Sequence, residues 1–155
     1  MSTSSSLRVI ADKARKSGRI GFADVQRLQR DFLADGIGSR ADAELLVGLD
    51  RSLRRRDPAW AGFLVAALVD FVVWAERPTG TVDENTALWL RATLEGAAPR
   101  TARLIAREIA REAQAFENDA LDVLAAIGRS SGRRSRLAGA IPASSTSEAV
   151  CQAAA

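Results

Sequence analysis

The chain has 155 residues and a net formal charge of +3, and its 47% of apolar residues suffice for one folded domain with a buried core. It contains no His and no Tyr, which excludes the commonest general base and every Ser–His or Cys–His catalytic arrangement. A single cysteine, Cys151, excludes an intramolecular disulfide and fits a reducing cytosol. No stretch approaches the apolar length of a membrane span and no signal peptide is visible, so we expect a cytoplasmic protein. Because the usual catalytic arrangements are excluded, we also expect that the protein is not an enzyme.

Positive charge is concentrated at the two ends of the chain. Residues 1–19 carry five basic and one acidic side chain, residues 129–155 carry four basic and one acidic, and the stretch between them is net acidic. We therefore predict a helical domain over residues 18–128, preceded by a flexible or short basic segment (1–17) and followed by a disordered Arg/Ser/Ala-rich tail. Neither end has apolar periodicity strong enough to dock, so the central domain is expected to fold alone.

One signature recurs three times: a Gly-containing turn, an aliphatic residue and then a capped amphipathic helix. Its copies span residues 17–24, 35–42 and 79–84. Each copy is expected to mark the entry to a helix, because Gly accepts the left-handed conformation that ends a helix and Ser, Thr or Asp caps the next one. The recurrence predicts a compact all-α domain built from turn-joined helices.

In chain order, apolar residues at helical spacing predict a succession of helices. Residues 7–16 could form a short basic helix, and the helices of the domain span about residues 22–34, 39–55, 58–75, 82–94, 100–116 and 119–127. Ser39 and Asp57 are the expected N-caps of the helices over 39–55 and 58–75, and Thr81 with Glu84 forms a capping box for the helix over 82–94.

The helix over residues 58–75 is apolar on nearly every face, which is typical of a helix wrapped by others. β-branched residues in its second half leave a strand as the alternative there, whereas its length and the Pro58 start favour a helix. The fold class is therefore predicted as a bundle of five or six helices around this central helix. Trp60, Trp74 and Trp89 are expected in the core, and one at the rim would mark a protein interface.

The turn between Asp31 and Asp42 is the best candidate for a binding site. Asp31 and Asp42 are the first and last residues of a twelve-residue stretch, and Asp31, Asp35 and Gly36 fit the first, fifth and sixth positions of a calcium-binding EF-hand loop. The third and eighth positions, Leu33 and Gly38, do not fit. One interpretation is a plain helix corner in which Gly36 relieves strain and Ser39 caps the next helix, and this is the favoured one.

The other interpretation is a weak site for Ca²⁺ or Mg²⁺ formed by Asp31, Asp35 and Asp42. Asp70 lies in the middle of the most apolar helix, where a carboxylate needs a partner. It is either a satisfied structural group or a fourth ligand that converges on the same cation.

Four arginines, Arg51, Arg54, Arg55 and Arg56, form a local basic cluster at a predicted helix end. A favourable interaction with the helix dipole is the preferred explanation. The alternative is contact with an acidic partner or with phosphates.

The order Ala34-Asp35-Gly36-Ile37-Gly38-Ser39, then Asp42 and Glu44, with a helix on each side, resembles the TerB-like (tellurite-resistance) helical family and degenerate EF-hand pairs. The stretch 18–95 is also similar to small α-proteobacterial proteins with the order Asp35-Gly36, Asp57-Pro58-Ala59-Trp60, Asp70, Pro78, Gly80, Val82 and Trp89-Leu90. The resemblance implies an all-helical protein associated with metal or stress responses and an acidic cation site around Asp35.

Together these observations predict a non-enzymatic cytosolic interaction or regulatory domain, with weak divalent-cation binding as a further expectation. A protein partner is expected, a homo-oligomer is compatible with the sequence, and no membrane is expected. The alternative is a nucleic-acid-associated protein that uses its Arg-rich tails. A flat apolar patch on the folded domain would favour the protein partner, an acidic pocket the cation, and a continuous basic face the nucleic acid.

Overall fold

The computed structural model describes residues 3–137, and over this range the chain is all-α, as predicted. The helices are α1 (Thr3–Ser17), α2 (Phe22–Asp35), α3 (Arg40–Ser52), α4 (Pro58–Asp70), α5 (Glu84–Thr93), α6 (Pro99–Glu112) and α7 (Ala120–Leu137). A π-helical turn, Phe71–Ala75, continues α4. Two-residue strands are β1 (Arg19–Ile20), β2 (Arg55–Arg56), β3 (Thr81–Val82) and β4 (Ala115–Phe116).

Three of the predicted helix boundaries are confirmed by their caps. The Ser39 hydroxyl accepts a hydrogen bond from the amide of Asp42 (3.3 Å), and the Asp57 carboxylate accepts one from the amide of Ala59 (2.9 Å). Gly36 ends α2 with φ at 68°, a conformation that favours glycine. These three helix ends are therefore determined by residues close to them in the sequence.

The predicted capping box at Thr81 is wrong. Thr81 lies in β3, where its extended backbone pairs with another strand, so the helix begins two residues later than expected. Asp83 caps α5 instead, because its carboxylate accepts a hydrogen bond from the amide of Thr86 (2.6 Å). That backbone bond is the main reason why the pKa of Asp83 lies below its usual range.

Two parallel ribbons, which the sequence analysis missed, join helix ends far apart in sequence. In the first, β1 pairs with β2, and the carbonyl oxygen of Gly18 accepts hydrogen bonds from the amides of Arg54 (2.8 Å) and Arg55 (3.2 Å). The carbonyl of Ile20 accepts one from the amide of Asp57 (3.1 Å). As a result, the C-terminal ends of α1 and α3 lie side by side.

The second ribbon repeats this arrangement. β3 pairs with β4, and the carbonyl oxygen of Gly80 accepts from the amides of Gln114 (2.8 Å) and Ala115 (3.3 Å). The carbonyl of Val82 accepts from the amide of Glu117 (3.0 Å). β2 and β4 occupy residues that were predicted as the last turns of helices, so both helices end earlier than expected.

After α1, the domain thus consists of two units of the same pattern: strand, helix, helix, strand, helix. Gly18 and Gly80 open the units, and Gly36 and Gly96 turn the corner between the first two helices of each; all four have a positive φ. The first and third copies of the sequence signature are therefore equivalent. The second copy, residues 35–42, is a helix corner that corresponds to the Gly96 corner.

The N-terminal helix belongs to the core, contrary to the prediction that the domain begins at residue 18. α1 packs against α2 and α3. It buries Leu7, Ile10, Ala11 and Ala14, whose spacing places them along one stripe. The basic helix is present, but the prediction that the N-terminal end lacks the apolar periodicity needed to dock is wrong.

At the other end, α7 continues to Leu137, ten residues beyond the predicted end at residue 127. It packs against α5 and α6. The rest of the predicted disordered tail, residues 138–155 with Cys151, lies outside the described residues.

We predict that Ile10→Ala destabilises the domain by about 2–5 kcal/mol, because it removes a large side chain from the core. Ile10 is 3% exposed, whereas its neighbour Val9 is 60% exposed and provides the matched control. Urea unfolding of both variants measures the difference. Equal stability of the two variants would show that α1 does not dock.

We likewise predict that Leu68→Ala costs about 2–5 kcal/mol, since Leu68 is 0% exposed in α4. Leu121→Ala is the control, because Leu121 is largely exposed. Thermal unfolding that gives a loss below about 1 kcal/mol for Leu68→Ala would place this side of α4 at the surface.

Candidate functional site

One side of α4 is open to solvent, although this helix was predicted to be enclosed on all sides. Trp60, Leu64 and Leu68 are buried, while Ala61, Gly62 and Ala66 are exposed on the opposite side. The helix is apolar all round because its outer side chains are small, not because they are covered. Only half of the Pro58–Ala75 stretch is buried.

This stretch is also long and apolar enough to cross a membrane, with a mean hydropathy of 1.8, contrary to the prediction that no such stretch exists. In the part of the chain that the structure describes, it is alone in meeting this criterion. Its buried half supplies Trp60, Leu64 and Leu68 to the core of the domain, as the core helix of a folded domain does.

The open side of α4 forms the floor of a groove of about 550 Å³. The groove is lined by Ala61, Gly62, Val65, Ala66, Val69, Asp70 and Trp74 from α4 and its π-helical turn, and by Leu104, Glu108 and Glu112 from α6. A Cβ atom on Gly62 would meet nothing within 4 Å, so the space above the floor is open. Below, this feature is called the α4–α6 groove.

Trp74 stands at the C-terminal end of the groove and is 40% exposed. The prediction that all three tryptophans lie in the core is therefore wrong for Trp74, while Trp60 is fully buried. The π-helical turn widens the end of the helix and changes the direction of the side chains that follow Asp70. The sequence carried no signal for that turn.

The charged residues that line the groove are all acidic: Asp70, Glu108 and Glu112. They gather with Trp74 at one end, because the second ribbon brings the carboxyl ends of the π-helical turn and α6 together at Gly80. Glu108 is bridged by Arg107 (2.8 Å) and Arg111 (3.1 Å), which lie outside the groove lining and are well exposed. The groove therefore combines an apolar floor with an acidic end.

The four carboxylates proposed as cation ligands are brought together only in part. Asp70 lies near the Gly36 corner. Its Oδ2 is 3.9 Å from the position that a Cβ atom on Gly36 would occupy. Asp35 is exposed, and Asp42 is buried beside the Ser39 cap, whose hydroxyl donates to it (3.0 Å). Asp31 is half-buried on α2. Among the described residues, no three acidic or cysteine side chains form a group that could hold a metal ion.

The most deeply buried carboxylate is Asp50, which the sequence analysis did not single out. It is 2% exposed, and its Oδ1 accepts hydrogen bonds from Trp60 Nε1 (2.9 Å) and Arg56 Nε (2.8 Å). Arg56, one of the four clustered arginines, therefore has a structural role. Through these two hydrogen bonds, Asp50 connects α3 to β2 and α4. Asp70, by contrast, is only half-buried.

A second residue that the sequence analysis missed is Arg40, which links the two units. Its Nε donates to Glu76 (2.8 Å), its Nη2 donates to Thr86 (3.0 Å), and its guanidinium carbon lies 5.0 Å from the centre of the Trp89 ring. Chiefly through the hydrogen bond to Glu76, the pKa of Arg40 is raised above its usual value. Trp89 in turn donates to Glu44 (2.8 Å), so this cluster is internally satisfied.

Comparison of the chain with models of known protein families, with curated proteins and with solved structures gives no match. The resemblance to the TerB-like family stays a prediction.

Because the Asp31–Asp42 turn is organised as a capped helix corner, we predict that Ca²⁺ or Mg²⁺ at about 1 mM leaves the Tm unchanged. A site with a Kd of about 10⁻⁴ M would add about 1.4 kcal/mol under these conditions and raise the Tm by several degrees. Such a rise, lost in Asp35→Asn, would contradict this prediction and establish the cation site.

Proposed function

We propose that this protein is a non-enzymatic interaction domain whose partner docks in the α4–α6 groove. The observation that carries the proposal is an exposed tryptophan, Trp74, at the end of an open apolar groove. Tryptophan is enriched among the residues that dominate binding energy at protein interfaces. A contiguous apolar surface edged by charge is typical of a docking site.

The occupant that fits this groove is an amphipathic helix that carries Arg or Lys towards one end. Two neighbouring helices form the walls and floor, which is the arrangement in which an apolar helix face is commonly received. Asp70 and Glu112 favour a cationic partner and oppose an anionic lipid surface, whereas Glu108 is already paired with Arg107 and Arg111. From Ala61 to Trp74 the floor extends about 20 Å, the length of a helix of about 14 residues.

The groove lining also supports a binding role over catalysis. It offers carboxylates and apolar carbon, and no Ser, Cys or Lys side chain is among the residues that line it. A Ser, Cys or Lys nucleophile paired with a base is therefore not assembled in this groove. A cytosolic location remains part of the proposal, on the grounds of composition.

The experiment uses the full chain and a designed basic amphipathic peptide of about 14 residues with Leu at helical spacing, labelled for fluorescence anisotropy. We expect Gly62→Leu to weaken binding of this peptide at least tenfold, because the added side chain fills the open space above Gly62. The same change should leave the fold intact or stabilise it by up to about 1 kcal/mol, since Leu favours helix over Gly.

Ala23→Leu is the matched control, because it adds an exposed leucine to α2 away from the groove. It should bind the peptide as the wild type does. Equal binding by Gly62→Leu, or equal binding of a peptide in which Glu replaces each basic residue, would refute the proposal. A wild-type dimer that Gly62→Leu converts to a monomer would make a second copy of this chain the occupant instead.

A further inference from the structure

The first ribbon places two arginines side by side on its solvent face. Arg19 and Arg55 are directly paired in register. Ile20 points into the core, so by alternation Arg19 points outwards, and Arg55 lies beside it on the same face. Both side chains are exposed, and neighbouring strands lie only about 4.8 Å apart.

A third exposed arginine, Arg54, lies directly before Arg55 in the chain. The side chain of Arg54 packs against Gly18. Its Cδ lies 3.7 Å from the position that a Cβ atom on Gly18 would occupy. Since Gly18 has no side chain, the stem of Arg54 lies close against the ribbon. Arg19, Arg54 and Arg55 are called the arginine ribbon below.

Three carboxylates of the flanking elements are already committed to other partners. Asp24 accepts from Lys13 (2.8 Å), Asp50 from Arg56 (2.8 Å), and Asp57 caps α4. The pKa of Asp24 is lowered mainly by the Lys13 hydrogen bond, with a smaller contribution from the charge of Arg19. Within residues 3–137, no ion pair joins a carboxylate to a member of the arginine ribbon.

The fold itself does not require these charges. The second ribbon has the same register and the same glycine-carbonyl hydrogen bonds, yet it carries Thr81 and Ala115 where the first carries Arg19 and Arg55. Both ribbons also adjoin the carboxyl end of a preceding helix, so the helix dipole does not explain the difference. Like charges directly opposite each other destabilise a strand pair. An anionic ligand would relieve that repulsion.

We propose that the arginine ribbon binds the phosphate groups of a nucleic acid strand. The planar guanidinium fork matches phosphate geometry and donates two hydrogen bonds at once. An exposed row of arginines suits a polymer that presents many phosphates better than it suits a single phosphate. Lys16, exposed in the last turn of α1, adds positive charge just before Gly18. Nucleic acid binding is thereby assigned to the folded domain, whereas the sequence analysis had placed it in the tails.

The test is anisotropy of a labelled oligonucleotide of about 20 nucleotides, single-stranded and duplex, titrated with the full chain over a range of salt concentrations. The double variant Arg19→Thr/Arg55→Ala gives the first ribbon the residues of the second, so it should fold normally. We expect its affinity to fall at least tenfold and the slope of log K against log salt to decrease in magnitude by about 2.

Arg27→Ala/Arg30→Ala removes the same charge from exposed positions on α2 and should bind as the wild type does. Three results would overturn the proposal: no binding by the wild type, equal binding by the ribbon variant, or equal weakening in the α2 control. The second of these would return nucleic acid binding to the tails. Displacement of the oligonucleotide by inorganic phosphate, at ionic strengths where chloride has no effect, would assign a small phosphate ligand instead.

Discussion

The carbonyl oxygen of one glycine organises each half of this domain. Gly18 and Gly80 have a positive φ, and each carbonyl receives two amides from a strand more than thirty residues later in the chain. At Gly18 this contact sets Arg19 beside Arg55. At Gly80 the carbonyl holds the residues that follow α6, and the Gly80 amide donates to the carbonyl of Val73 (2.6 Å), so the end of α6 and the π-helical turn meet there. Both proposed binding surfaces therefore depend on the same backbone arrangement.

Those ribbons mark the limit of what the sequence could predict. Helix starts and stops depend on chemistry within four residues, so Ser39, Asp57 and Gly36 could be assigned correctly. A strand of two residues has no periodicity, and its partner lies far away in sequence. The residues around Thr81 therefore do not show whether it belongs to a strand pair or to a capping box. The repeated Gly-aliphatic signature did contain the signal, but its second copy at Gly36 obscured which copies were equivalent.

The candidate site shows a different limit. Periodicity identified α4 as the most apolar helix, and its inner residues such as Leu68 are indeed buried. The prediction that α4 is enclosed counted Ala61 and Gly62 as apolar residues without regard to their size. Small side chains leave a groove when no helix lies over them. Buried charge was misjudged for a related reason. Asp70 stands out in an apolar helix but is half-buried, whereas Asp50 looks like an ordinary charge on an amphipathic helix and meets Trp60 and Arg56 only after the chain turns back.

The two surfaces have opposite charge and lie at opposite ends of α4. The arginine ribbon adjoins the start of this helix through β2, and the acidic end of the groove begins at Asp70, about 20 Å along its axis. At physiological salt this separation exceeds the Debye length of about 8 Å, so the carboxylates scarcely weaken attraction at the ribbon. Under the two proposals, a nucleic acid strand at the ribbon and the basic end of a helix at Asp70 would therefore not compete for charge.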